Sequence, residues 1–405
     1  MKNKKMSTRL VHDKYNLVPL GRHNYGVPIL DGSTVLFDKY DDFISSGVSE
    51  QNVKLDKIKS TLNDYGRGGN STTLAVEQIV AGFENADFCK LFSTGIAAIR
   101  TALIAFSSSG SHILVNDGIY TPVKNFIDNV LLNYGATCTY FDPMVTEDEL
   151  VALVKPNTKV IYAEIPCSRF FEVANIDTIL SVAKKIDAVT ICDNSYSTWI
   201  NFRPLDIGFD VSVTSLTKYA AGHSDMMSGS LCVKEKHFRR IFATVDAFGD
   251  HVSAQSSANL LRGMRTMDLR MEHSIRTGAA FIEYLKTKEI IKKIYHPSVK
   301  DHVGHENFVK YFTNAPSLMS VALDKQYSDE QMAKLFNSLE LFGMGYSYGG
   351  GESLAIPLPP TNIRNLRQFS KNQPLPNSSM RLYIGLEDIN DLIADFDNAL
   401  DMLNR

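Results

Sequence analysis

Two short apolar runs end in groups that could do chemistry together. AVTICDN, at 188–194, closes on Asp193, and VSVTSLTKY, at 211–219, closes on Ser215, Thr217 and Lys218. If these runs are neighbouring strands, a carboxylate and a primary amine share one mouth of a sheet, where α/β folds gather their ligands. A lysine amine can condense with an aldehyde, and a carboxylate can hold a pyridine nitrogen protonated. The pair therefore suits a cofactor that is an aldehyde on a pyridine ring. By spacing alone, a solvated lysine at a strand end and an aspartate capping a helix satisfy the same pattern.

Other residues could complete such a site. LFSTGI, at 91–96, leads into a helical run, so the amides around Gly95 and Ile96 could face an anion; an ordinary N-cap has the same sequence. Ser215 and Thr217 alternate at the end of a strand and could add hydroxyls on one side. Tyr120 follows a strand and a turn and could stack on an aromatic ring, or fill a core. Tyr65 and Arg67 lie in the polar loop DYGRGGNST (64–72), where an arginine could clamp a phosphate or carboxylate, or be a surface charge. Arg381 opens an apolar strand and could meet a carboxylate ligand or a structural partner. The ten histidines form no HxxxH or HExxH, so a catalytic metal is not expected.

Alternation of short apolar strands with amphipathic helices must position these groups. Helical spacing covers 73–83, 96–106, 123–132 and 176–186; strand-like runs cover 112–115, 137–141, 159–165, 188–192 and 211–215. The pattern predicts an α/β domain over 71–255 with a mostly parallel sheet. Beyond it, one long helical run (254–286), strands at 319–322 and 381–386, and helices at 329–341 and from 389 predict a smaller α+β domain over 256–405. Residues 1–70, rich in Gly, Asn, Asp and Ser, read as an arm that wraps its own core or reaches a neighbouring subunit. The charge balance, 42 basic against 45 acidic residues, gives no reason to expect nucleic acid. Five scattered cysteines without metal-ligand spacing, no apolar stretch after the basic start and no run of roughly 18 apolar residues point to a cytoplasmic protein.

Taken together, the motifs resemble the Cys/Met-metabolism family of pyridoxal 5′-phosphate (PLP) enzymes, over about 10–404. SLTKYAAGHSDMMSG (215–229) carries most of the resemblance. STVLFD (33–38), EIPCSRFFEV (164–173), GMRTM (263–267), GYSYGGGESL (345–354) and RLYIGLED (381–388) are most similar to the bacterial cystathionine β-lyase branch. The resemblance implies the aspartate aminotransferase-like fold type I, with a sheet of the seven-stranded type. It also implies Lys218 as the Schiff-base lysine and proton shuttle, Asp193 on the pyridine nitrogen and Tyr120 on the ring. Gly95, Ile96, Ser215 and Thr217 would hold the phosphate, and Tyr65 and Arg67 would reach the phosphate of an adjacent subunit in a homotetramer. Arg381, with Ser347 and Tyr348, would grip the substrate α-carboxylate.

The implied activity is β-elimination from cystathionine, or from cysteine- or cystine-type substrates, to a thiol, pyruvate and ammonia. γ-Elimination or γ-replacement within the family, and a non-catalytic relative, are the alternatives. Several positions depart from the branch. Gly68 stands where a second arginine usually follows Arg67, Tyr348 replaces a tryptophan, Asn125 an acidic residue, and Cys167-Ser168 a Gly-Ser pair. These departures cluster at the implied substrate end, so substrate choice is expected to differ from that of the branch.

Overall fold

The computed structural model describes residues 4–12, 28–46, 64–358 and 378–404. Its larger sheet joins β1 (Phe88–Phe92), β2 (His112–Asn116), β3 (Thr137–Phe141), β4 (Thr158–Glu164), β5 (Val189–Asp193), β6 (Val211–Thr214) and β7 (Gly229–Val233). The order is β1-β7-β6-β5-β4-β2-β3. β7 is antiparallel to both neighbours, and the other pairings are parallel. Every residue of β1, β2, β6 and β7 is buried, as expected for strands covered on both faces. Two apolar cores, one on each face, account for that burial.

Helix Ile176–Ile186 shows how the covering layer forms. The Asn175 side chain caps it, and Ile176, Ile179, Val182 and Ala183 make a buried stripe at spacings of three and one. Each such isoleucine contributes about 1.5–3 kcal/mol of burial free energy.

β8 (Ile291–Tyr295), β9 (Leu318–Leu323), β10 (Leu354–Leu358) and β11 (Ser379–Tyr383) form a second, antiparallel sheet, ordered β10-β11-β9-β8. Its own core includes Phe281, Met319, Val321, Leu382 and Phe396. The fold is thus α/β with a smaller sheet domain, as expected.

Several segments differ from the sequence reading. The helical run at 254–286 is two helices, Ala254–Met264 and Met267–Leu285. Near the break, the carbonyl of Gly263 accepts from Thr266 Oγ1 (3.3 Å) and Arg270 Nη2 (2.7 Å). The run at 123–132 is an α-turn (Thr121–Phe126), a π-turn (Ile127–Leu131) and a 3₁₀ turn (Leu132–Tyr134). β1 escapes the apolar pattern because Lys90 sits mid-strand. It is buried there by an ion pair with Glu77 at 3.0 Å.

Of the arm at 1–70, part of the described stretch lies on its own chain. Arg9 Nη2 donates to Gly82 O (2.6 Å), Leu10 is buried, and Asp31 Oδ1 accepts from the Ala254 amide (2.9 Å). Residues 13–27 and 47–63 lie outside the described residues.

Candidate active site

β5 and β6 are parallel neighbours, with Asp193 paired to Val213, so the carboxylate and the lysine do share one end of the sheet. Asp193 is the last residue of β5. Its Oδ1 accepts from the Ser195 amide (2.9 Å) and its Oδ2 from the Tyr162 hydroxyl (3.4 Å). Burial raises its pKa, opposed by the bonds from Ser195 and Tyr162 and by the charge of Lys218. Among the described residues no lysine, arginine or histidine lies within ion-pair distance of it. Asp193 is thus a buried carboxylate whose environment favours the arrival of a cation.

Lys218 stands in a tight turn after β6, with its amide on the Ser215 carbonyl (3.2 Å) and its carbonyl accepting from Gly222 (2.9 Å). Arg270 Nη1 secures the next carbonyl, that of Tyr219, at 2.8 Å. The turn at 345–351 lies directly against it. A Cβ on Gly349, whose φ is +87°, would come within 2.7 Å of the Lys218 backbone carbon. Lys218 Nζ donates to Ser347 Oγ (2.7 Å) and lies 4.8 Å from the centre of the Tyr348 ring. Burial and the neighbouring charge of Arg381 lower its pKa to about 8, with Asp193 opposing. At neutral pH this leaves roughly two orders of magnitude more neutral amine than an ordinary lysine has.

Arg381 closes the other side. It lies on β11, and its Nη2 donates to the Ser347 carbonyl at 3.0 Å. Among the described residues no carboxylate is within ion-pair reach of it. Ser347 therefore joins the amine and the guanidinium through its hydroxyl and carbonyl, and it does so at φ +98°, a strained backbone for a residue with a side chain. Tyr120, half exposed, begins the helix Thr121–Phe126, and its amide donates to Glu164 Oε2. Burial and the Glu164 carboxylate raise its pKa, while Arg381 lowers it.

The anion-accepting end is also assembled. Helix Gly95–Phe106 is capped by Thr94, whose hydroxyl accepts from the Ala97 amide (3.1 Å). The amides of Gly95 and Ile96, at its first two positions, remain available for a ligand. A Cβ on Gly95 would lie 2.8 Å from Ser215 Oγ, so only glycine lets this helix end approach that hydroxyl. Thr217 is differently placed. β6 ends at Thr214, so alternation along a strand no longer applies, and the Thr217 hydroxyl donates to the Ser228 carbonyl (3.0 Å).

Tyr65 and Arg67 do not join this group within the chain. Arg67 is exposed and pairs with Asp246 at 2.9 Å. Tyr65, also exposed, lines an open cleft with Arg67, Asp31, Ser33 and His251. Three further positions were given no role in the sequence reading. Ser195 braces both strand ends, its Oγ accepting from the Ser215 amide (2.7 Å); its place two residues after Asp193 in Asp-Asn-Ser is a turn signal. Glu164 and Arg270, by contrast, are visible only once the strands are assembled.

The amine, the isolated carboxylate and the helix end fit PLP, and together with the fold they define a PLP-dependent enzyme of the α/β type. The family described as "Cys/Met metabolism PLP-dependent enzyme" matches residues 7–401, and the chain belongs to it. An L-alanine/L-glutamate racemase of Wolbachia pipientis wMel is 32% identical over 380 residues, 92% of this chain and 91% of that one. A cystathionine beta-lyase of Haemophilus influenzae is 32% identical over 371 residues, 91% of each. The crystal structure of a cystathionine gamma-lyase from Lactobacillus plantarum, complexed with L-serine, superposes with a TM-score of 0.86 at 27% identity, covering 99% of this chain and 100% of that one.

Proposed function

We propose that the protein is a carbon–sulfur β-lyase that splits cystathionine, or a cysteine- or cystine-type substrate, into a thiol, pyruvate and ammonia. The observation that carries this reading is the Lys218 amine, its pKa lowered to about 8 and its place fixed by Ser347 between Asp193 and the Arg381 guanidinium. When bound, PLP supplies an electron-accepting pyridinium that makes an amino acid's α-proton removable.

The chain's own residues do the rest. Lys218 would hold the cofactor's aldehyde, and Asp193 would keep the pyridine nitrogen protonated. Tyr120 would lie against the ring. The amides of Gly95 and Ile96 and the Ser215 hydroxyl would hold the phosphate. Thr217 would join them by exchanging its bond to Ser228. Arg381 grips the substrate α-carboxylate and so aims the α-proton at Lys218. The lysine takes that proton as a neutral base, and the thiolate departs from the β-carbon. Ser347 and Tyr348 keep the amine over the reacting carbon.

Arg67 and Tyr65 would complete the phosphate site of a second copy, making the active unit at least a dimer, within a homotetramer. Exposed Leu36, Tyr40, Phe43 and Ile44, in the segment that follows the bridge between Thr34 and Tyr65, favour a covered face there. Five free cysteines favour work in a reducing cytoplasm; among the described residues no helix is long and apolar enough to cross a membrane.

A second reading, amino-acid racemisation, is favoured by the Wolbachia relative, as similar to this chain as the Haemophilus β-lyase. It uses the same α-proton step. Incubation with cystathionine, cystine, cysteine, L-alanine and L-glutamate tests both. Pyruvate from the sulfur substrates is expected; 2-oxobutanoate, or only inverted alanine or glutamate, would overturn the β-lyase reading.

A further inference from the structure

We propose that Arg169 is a specificity-determining residue that binds a second carboxylate, at the far end of the substrate side chain. The inference rests on the reading that an amino acid is held by Arg381 over Lys218, and it applies to any substrate with a second carboxylate, whether cleaved or racemised.

Arg169 lies in the loop after β4, which spans the two sheets. On one side, the Ser168 amide donates to the Gly118 carbonyl (2.6 Å), next to the Tyr120 turn. On the other, the Arg169 carbonyl accepts from Ser320 Oγ (2.6 Å), and Ser320 is the strand partner of Arg381. The guanidinium reaches back toward the first side, with Nη2 donating to Thr121 Oγ1 (3.1 Å), one residue after Tyr120. Arg169 is thereby bracketed by the two residues that frame the substrate position, Tyr120 and Arg381. Its charge is felt there: after burial, and against the opposing effect of Tyr348, the Arg169 cation lowers the pKa of Arg381.

Two features favour a ligand role. The backbone at Arg169 is left-handed, φ +71°, which costs a long side chain about 1–2 kcal/mol and suits glycine better. Strain of this kind persists where surrounding structure and function hold it. Two guanidiniums at one mouth also repel, and a ligand with two carboxylates relieves that repulsion. The position explains how a chain with Gly68 in place of an arginine can still read the distal end of its substrate. The cation is supplied by the β4 loop and not by the Arg67 segment.

The test compares wild-type, Arg169→Leu and Arg169→Lys holoenzymes on cystathionine, which has a distal carboxylate, and S-methylcysteine, which has none. The kcat/KM ratio of cystathionine to S-methylcysteine is expected to fall about tenfold or more in Arg169→Leu, through KM, and to recover in part in Arg169→Lys. An unchanged ratio overturns the proposal. Calorimetric binding of glutarate against butyrate gives a second readout that needs no turnover. Wild-type preference for glutarate, lost in Arg169→Leu, supports the site; equal binding of the two by wild type overturns it, even if Arg169→Leu does not fold. Should wild type release no keto acid from either substrate, the β-lyase reading fails, and the glutarate comparison alone decides Arg169.

Discussion

Two of the carboxylates buried against the larger sheet lie in contrasting surroundings. Asp193 is 4% exposed and Glu84 is fully buried, and burial raises the pKa of both. Glu84 follows helix Ser71–Phe83 and accepts from Ser212 Oγ (3.2 Å) and Thr214 Oγ1 (3.3 Å) along β6. Those hydroxyls can be donated to either protonation state of their partner, and burial lifts the Glu84 pKa to about 7. Asp193 instead ends its strand, accepts from an amide and a phenol, and feels the charge of Lys218. A buried acid among hydroxyls satisfies the fold. A buried acid at the carboxyl end of a strand, within reach of a lysine's field, is built to receive a charge from outside the chain.

The comparison can be broken most directly at its functional end. Lys218→Ala should abolish turnover, and Arg67→Ala should impair it through the neighbouring copy. Mixing the two variants should restore roughly a quarter of wild-type activity, because only one site in each mixed dimer is intact. No recovery on mixing would mean that each site is made by one chain. Asp193→Asn keeps the shape and removes the charge. It should lower kcat/KM by roughly a hundred- to a thousandfold and weaken cofactor retention, measured as cofactor per chain after dialysis, because a buried charge partner is lost.

Glu84→Gln should leave turnover intact and change stability alone. The folded pKa of Glu84, about 7, stands above its ordinary value of 4.5. Its stability contribution is therefore complete below about pH 4.5 and is lost as pH rises through 7, to a limit of roughly 3 kcal/mol. The variant should be more stable than wild type at pH 8, with the difference shrinking toward pH 5, in denaturant unfolding. A gain that is the same at both pH values would separate it from ionisation.

Much of this was legible in the chain. β3 and helix Ile176–Ile186 have the bounds read from periodicity, because their apolar spacing is uninterrupted. Asp193, Lys218 and Arg381 could be picked out as polar groups at the ends of apolar runs, although β6 ends at Thr214 and Arg381 is the third residue of β11. What periodicity could not carry was the effect of one element on another. Lys90 hides β1 because its partner, Glu77, is on a different element. The break near Gly263 depends on the reach of Arg270, and the role of Ser347 depends on two residues distant in sequence. Arg169 stands unremarked within EIPCSRFFEV, and only the strand pairing of Ser320 with Arg381 places it at the mouth.

The central claim is that the amine of Lys218 carries the cofactor. Borohydride reduction of the holoenzyme, followed by peptide mapping, tests it without reference to any substrate. A pyridoxyl label on the peptide containing Lys218 is expected; a label on another lysine, or on none, would contradict it.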